Sequence, residues 1–180
     1  NDYVEVFAKS FDTSTANSVK IGTANLYLEK VASARTIFSA TTTRTVADTN
    51  INPDTASPLQ WTQEVADSGF THSDSTNSHN ITLDAAGSYL VAFNLQATSS
   101  VQRASPQAIF KLDGTKIDGG IATQGYIRNA EATSKSSLHW VGLVQSSSAN
   151  QVLTVEMSKR AAAGTATVIS GEKGSIFVEK

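Results

Sequence analysis

The chain has 180 residues, of which 17% are charged, with a formal net charge of −2 and no cysteine. That length supports one domain with a sizeable core, and the absence of cysteine excludes disulfides and thiolate metal sites. No block of like charge suggests a nucleic-acid footprint, and no apolar run approaches the roughly 20 residues that span a bilayer, so neither nucleic acid nor membrane insertion is expected. The first residue is Asn rather than Met, which reads as a processed chain or a piece of a longer one. A low-charge, Ser/Thr-rich β chain without cysteine suits an extracellular, cell-surface or virion location.

Residues 1–30 align end to end, without gaps, with residues 151–180. Lys9 faces Lys159, Thr15-Ala16 faces Thr165-Ala166, and Leu26-Tyr27-Leu28-Glu29-Lys30 faces Ile176-Phe177-Val178-Glu179-Lys180. Each segment reads as strand, Thr/Ala/Ser-rich loop, strand. The expectation is an N-terminal β-hairpin, 1–30, like the closing hairpin of the main unit, 31–180, with the spacing of a tandem repeat. A lone hairpin is barely stable in water. It must therefore complete a preceding unit, add to the edge of a neighbouring copy or cap its own domain, and the sequence leaves the three open.

A first strand is expected over 34–46, then an irregular loop over 47–58 rich in Asp, Asn and Pro. Leu59, Trp61, Gln63 and Val65 alternate and are expected on one face of a strand, with Trp61 as a core anchor. Residues 67–80 read as a polar loop around Phe70. Ile81 and Leu83 alternate with polar residues, Asp84 to Gly87 break the pattern, and Tyr89, Val91, Phe93 and Leu95 resume it. Leu90 and Ala92 fall on the other face, so this central strand is expected to be covered on both sides.

Thr98 to Pro106 reads as a loop. Gln107 to Lys111 is a strand with Ala108 and Phe110 in phase, and Asp113-Gly114 is a type I′ hairpin signal, because both central residues of that turn need positive φ. Ile117 lies on the return strand and Asp118-Gly119-Gly120 marks a bulge or second turn. Residues 121–127 form a Gly-interrupted strand that leaves Tyr126 exposed, and Arg128 to Ser137 a polar loop. Leu138, Trp140, Gly142 and Val144 share a strand face, 145–151 is a turn, and Val152 to Met157 and Gly174 to Glu179 are the last strands. Trp61, Ile81, Gly87, Tyr89, Val91, Phe93, Phe110 and Trp140 are the expected structural core. About ten strands and no convincing helical period predict an all-β, antiparallel two-sheet sandwich.

Ile81, Gly87, Tyr89 and Val91 follow a spacing that resembles a motif of the complement one-q and tumour necrosis factor superfamily, with Ile81 and Val91 where that family usually carries Phe. Phe110 to Gly114, Leu138 to Val155 and Gly174 to Val178 resemble its later strands and turns. The resemblance covers roughly residues 34–180. It implies a jelly-roll sandwich, usually trimeric, usually serving recognition or scaffolding.

Catalytic constellations do not stand out. His139 between Leu138 and Trp140 reads as a surface histidine. Glu64, Asp67, Asp74 and Asp84 are not paired as a glycosidase would need, and the chain lacks the Gly-x-Ser-x-Gly elbow. His72, Asp74 and His79 have ligand-type side chains but lie in a stretch that reads as solvated loop, so no metal site is assigned. Asp113 and Asp118 flank a turn, and some relatives implied by the resemblance bind calcium between loops. Two turn-forming aspartates fall short of the six to eight oxygens calcium takes, so no cofactor is assigned.

Tyr126, Arg128 and Asn129 are the expected contact surface, because Tyr and Arg are enriched where proteins meet. These readings favour a non-enzymatic structural or adhesive module of an extracellular assembly (a bacterial surface protein, a filament or a phage virion component). It would pack against copies of itself, as a trimer or a head-to-tail array. The alternative is a carbohydrate- or receptor-binding domain of a phage or bacterial adhesin.

Overall fold

The computed structural model describes residues 35–42, 57–99, 102–122, 125–128, 135–159 and 169–180, all within the unit Ser33–Lys180. The expected hairpin at 1–30, the ends of the first strand (34 and 43–46), most of the loop at 47–58, Asn129, the stretch 129–134 and the loop 160–168 lie outside the described residues.

Eleven strands follow one another: β1 (Ile37–Thr42), β2 (Ser57–Pro58), β3 (Thr62–Ala66), β4 (Phe70–Thr71), β5 (Ile81–Leu83), β6 (Gly87–Ser99), β7 (Pro106–Leu112), β8 (Thr115–Ala122), β9 (Lys135–Ser146), β10 (Gln151–Lys159) and β11 (Ile169–Glu179). No helix occurs among the described residues. One sheet runs β3-β1-β11-β6-β9 and the other β4-β5-β10-β7-β8, with β2 also paired to β10. Pairing is antiparallel throughout. From β5 onward the chain crosses repeatedly between the two layers, and the first strand pairs with the last. That is the jelly-roll form of the sandwich.

The core lies between the sheets because strand side chains alternate faces. In β6, Tyr89, Val91, Phe93 and Leu95 point inward and are buried, while Leu90 and Asn94 point outward. Two aromatic groups fill the space. Phe38, Phe70 and Tyr89 meet with ring centroids 5.8–6.0 Å apart. Trp61, Phe93, Phe110 and Trp140 form a chain, with the Phe110–Trp140 centroids only 4.4 Å apart. Such tilted and edge-on contacts add about 0.5–1.5 kcal/mol per pair beyond the area they bury. The Tyr89 hydroxyl donates to the Ala85 carbonyl at 2.6 Å, so the buried phenol has its partner.

Of the expected core, Trp61, Ile81, Tyr89, Val91, Phe93 and Phe110 are buried. Trp140 packs against the core from a partly buried position. Gly87 is not a core residue: it is half-buried at the start of β6 with φ of +149°, and an added Cβ would lie 2.9 Å from Lys180 Cε. The Asp113-Gly114 turn has φ of 48° and 77°, as a type I′ hairpin needs. The pairing of β7 with β8 slips between Ile109 and Lys111, whose partners are Ile121 and Lys116. The irregularity therefore falls within 117–120, which contains the Asp118-Gly119-Gly120 break expected from the sequence.

Three readings need correction. Leu59, Trp61, Gln63 and Val65 do not share a face: Leu59 and Trp61 are buried, whereas Gln63 and Val65 are exposed. The chain leaves the second sheet at β2 and joins the first at β3, so residues 59–61 cross between layers and the alternation restarts. Lys135 to Ser137 belong to β9 rather than to a loop, because Thr98, Ala97 and Gln96 of the long strand β6 extend the pairing to them. The outer face of β6 is only partly covered among the described residues: Ala92 is half-buried and Leu90 is 38% exposed.

Candidate functional site

The carboxylates that could have marked a catalytic centre are each engaged as local acceptors. Asp67 Oδ2 accepts from the Ile37 amide at 3.0 Å and Glu64 Oε1 from the Thr41 hydroxyl at 3.0 Å. Asp74 Oδ1 accepts from the Gln63 amide at 2.8 Å and Asp84 Oδ2 from the Thr71 hydroxyl at 3.2 Å. Asp67, Asp74 and Asp84 tie a loop or a strand end to its neighbour, and Glu64 links β3 to β1.

The structure brings His72 and Asp74 together. The fully buried His72 ring donates from Nδ1 to the Asn80 carbonyl at 2.7 Å. Its Nε2 lies 3.2 Å from Asp74 Oδ1, but the alignment leaves that nitrogen without a hydrogen bond. The same ring sits edge-on to Phe38, with centroids 5.3 Å apart. His72 thus closes the 72–80 loop onto the core. Beside it is a small open recess of about 190 Å³, lined by hydroxyl and amide side chains such as Thr71, Ser73, Asn77 and Thr82. Among the described residues no group of three His, Cys, Asp or Glu could hold a metal ion.

Asp113 is a turn builder. Its Oδ1 accepts from the Val152 amide at 2.8 Å and its Oδ2 from the Gln151 side-chain amide at 2.9 Å. The Val152 backbone donor, helped by Gln151, holds the carboxyl below the usual aspartate range. Asp118 is exposed in β8. His139 is exposed on the outward side of β9, opposite Asn94 of β6.

Two surfaces remain. The larger is the outer face of the β3-β1-β11-β6-β9 sheet. Cross-strand partners place Val65, Ser39, Phe177, Ala92 and Val141 in one row across all its strands. The next row holds Ile37, Glu179, Leu90 and Leu143. Val141 is 68% exposed, Leu143 64% and Val65 42%, so this layer turns an apolar face to solvent. Arg35 caps Glu179 there, with Nη1 2.7 Å from Glu179 Oε1. Alternation in β6 and β9 was visible in the sequence, but the continuity of the rows depends on sheet order.

The second surface surrounds Tyr126, 59% exposed, with Arg128 exposed beside it. Sequence reasoning missed its third member, Arg103, which faces Arg128 across a short backbone pairing. No periodic signal links residues 103 and 128; only the meeting of two connections does.

Two antiparallel layers with this strand order define a jelly-roll sandwich. Solved structures of murine APRIL share the fold. One at pH 8.0 superposes with a TM-score of 0.51 at 11% identity over 81% of this chain and 98% of that one. Another at pH 8.5 gives 0.51 at 9% identity over 81% and 99%. No protein-family model matches the sequence, and no curated protein matches it. Among the described residues no helix is long and apolar enough to cross a membrane.

Proposed function

We propose that the protein is a non-enzymatic packing module of an extracellular surface assembly, such as a bacterial surface protein, a filament or a phage virion component. It acts by binding copies of itself through the outer face of the β3-β1-β11-β6-β9 sheet. The observation that carries this reading is the outward row Val65, Ser39, Phe177, Ala92 and Val141, exposed at Val65 and Val141 and half-buried between them, with Leu90 and Leu143 exposed alongside. A cluster of exposed apolar side chains on one sheet face marks an interaction site. A sheet face is shaped to meet another sheet face, because the pleated side chains interdigitate.

Threefold association is the geometry that the TNF-like resemblance implies. A head-to-tail array is the other arrangement, and an association of that kind that does not close gives a filament. Light scattering behind size-exclusion chromatography, over a dilution series, tests the proposal. A defined oligomer that dissociates on dilution supports it. A monodisperse monomer at the highest attainable concentration overturns it.

A further inference from the structure

The connection between β6 and β7 meets the connection between β8 and β9 in a short antiparallel ribbon. Ala104 and Ile127 exchange both backbone hydrogen bonds, at 3.1 and 2.8 Å, and Gly125 donates to the Pro106 carbonyl at 3.0 Å. Ala104 and Ile127 are buried. Alternation around Ile127 turns Tyr126 and Arg128 outward; both are exposed, and so is Arg103 in the turn before Ala104. The Arg103 amide donates to the Arg128 carbonyl at 3.2 Å, so the backbones of the two arginines meet at the end of the ribbon.

Two features make this arrangement unlike an ordinary solvated turn. Arg103 has φ of +58°, and the other non-glycine residues with positive φ among those described are Asn77, Asp113 and Asn150. Asn and Asp suit that conformation because their short side chains hydrogen-bond locally, whereas arginine gains nothing there. Its presence keeps a cation at a position where Asn or Gly would fold more easily, and backbone strain of this kind collects at ligand sites. Second, two cationic residues meet at one end of the ribbon, and like charges brought close repel. Among the described residues neither arginine is ion-paired, since the ion pairs there use Arg35, His72 and Lys111.

We propose that Arg103 and Arg128, with Tyr126 beside them, bind an anionic saccharide through its carboxylate or sulfate group. Planar guanidinium forks match either anion in a bidentate geometry. The exposed Tyr126 ring offers an apolar face and a polar edge, which suits the C–H face of a sugar ring. Among the described residues Tyr126 is also the aromatic one of the large exposed side chains. This site lies apart from the apolar sheet face and does not depend on self-association.

Calorimetric titration with sialyllactose and with sulfated lactose, against lactose itself, tests it. Binding of either anionic sugar at least tenfold tighter than lactose is expected, and the stronger of the two identifies the anion. Arg103→Asn keeps the left-handed turn while removing the charge. That variant and Arg128→Gln should each weaken binding about tenfold, the loss of one charge-assisted hydrogen bond. Tyr126→Ala should weaken it while Tyr126→Phe retains it, and affinity should fall as salt rises. Equal affinity for charged and neutral sugars overturns the proposal. So does binding that survives the Arg103→Asn/Arg128→Gln double substitution, tighter binding of an acidic peptide than of either sugar, or no binding at all.

Discussion

Replacing Val141 by Thr and Leu143 by Lys separates packing through the outer sheet face from mere exposure of apolar side chains. Both lie on β9, at the edge of the sheet, and both point outward. Thr keeps the branched shape that strands favour, and Lys is a common occupant of sheet edges, so the fold should survive. Fully burying a Val or Leu contributes about 1.5–3 kcal/mol. Val141 is 68% and Leu143 64% exposed, so the free chain leaves about two-thirds of each unburied. Covering them would then contribute about 1–2 kcal/mol each, or about 2–4 kcal/mol per protomer. At 1.4 kcal/mol per tenfold, the double variant should dissociate at concentrations about 30- to 700-fold higher than the parent chain. Sedimentation equilibrium over a concentration series measures this, with circular dichroism as the check on folding. A folded variant whose association is unchanged would refute the argument, because the face that carries it would not be in contact.

Gly174→Ala should destabilise the sandwich. A Cβ there would lie 2.8 Å from the Asn94 carbonyl oxygen and 2.7 Å from Leu95 Cδ1, and backbone cannot give way as a side chain can. Overpacking of this sort costs about 1–3 kcal/mol, and each kcal/mol lowers the melting temperature of a chain this size by about 2–4 °C. Tyr89→Phe removes the 2.6 Å bond to the Ala85 carbonyl and should cost about 0.5–1.5 kcal/mol in urea denaturation; an unchanged midpoint would show that the bond contributes nothing. Asp113→Asn keeps a residue suited to the type I′ turn but removes the charge. The folded carboxyl is held below its unfolded range, so its contribution is present above the ordinary aspartate range and is lost as pH falls through the depressed folded value. The parent should therefore melt above the variant at neutral pH, and the two melting curves should converge in acid. A gap that persists or widens there would contradict the sign.

Much of the fold could be read from single stretches. The alternation of Tyr89, Val91, Phe93 and Leu95 identifies a strand whatever surrounds it, since period two is a property of the extended backbone. Asp113-Gly114 specifies its turn because few residue pairs tolerate positive φ twice. The crossing at Leu59 to Trp61 was not legible. An apolar alternation looks the same whether one strand continues or the chain passes from one sheet to the other, and only pairing to β10 before it and β1 after it decides. Tyr126 and Arg128 could be singled out as a surface aromatic beside a charge, but not their neighbour Arg103. It lies 25 positions earlier in a Ser-rich loop and reaches Arg128 only through a backbone pairing.

The sequence alone determined which segments extend, where they turn and which side chains prefer the interior, because these follow from local backbone geometry and hydrophobic alternation. Tertiary structure alone decided that Val65, Phe177, Ala92 and Val141 form one row, and that two arginines from separate connections stand together. Those relations depend on strand order and register, which are fixed by how two sheets close over a shared core.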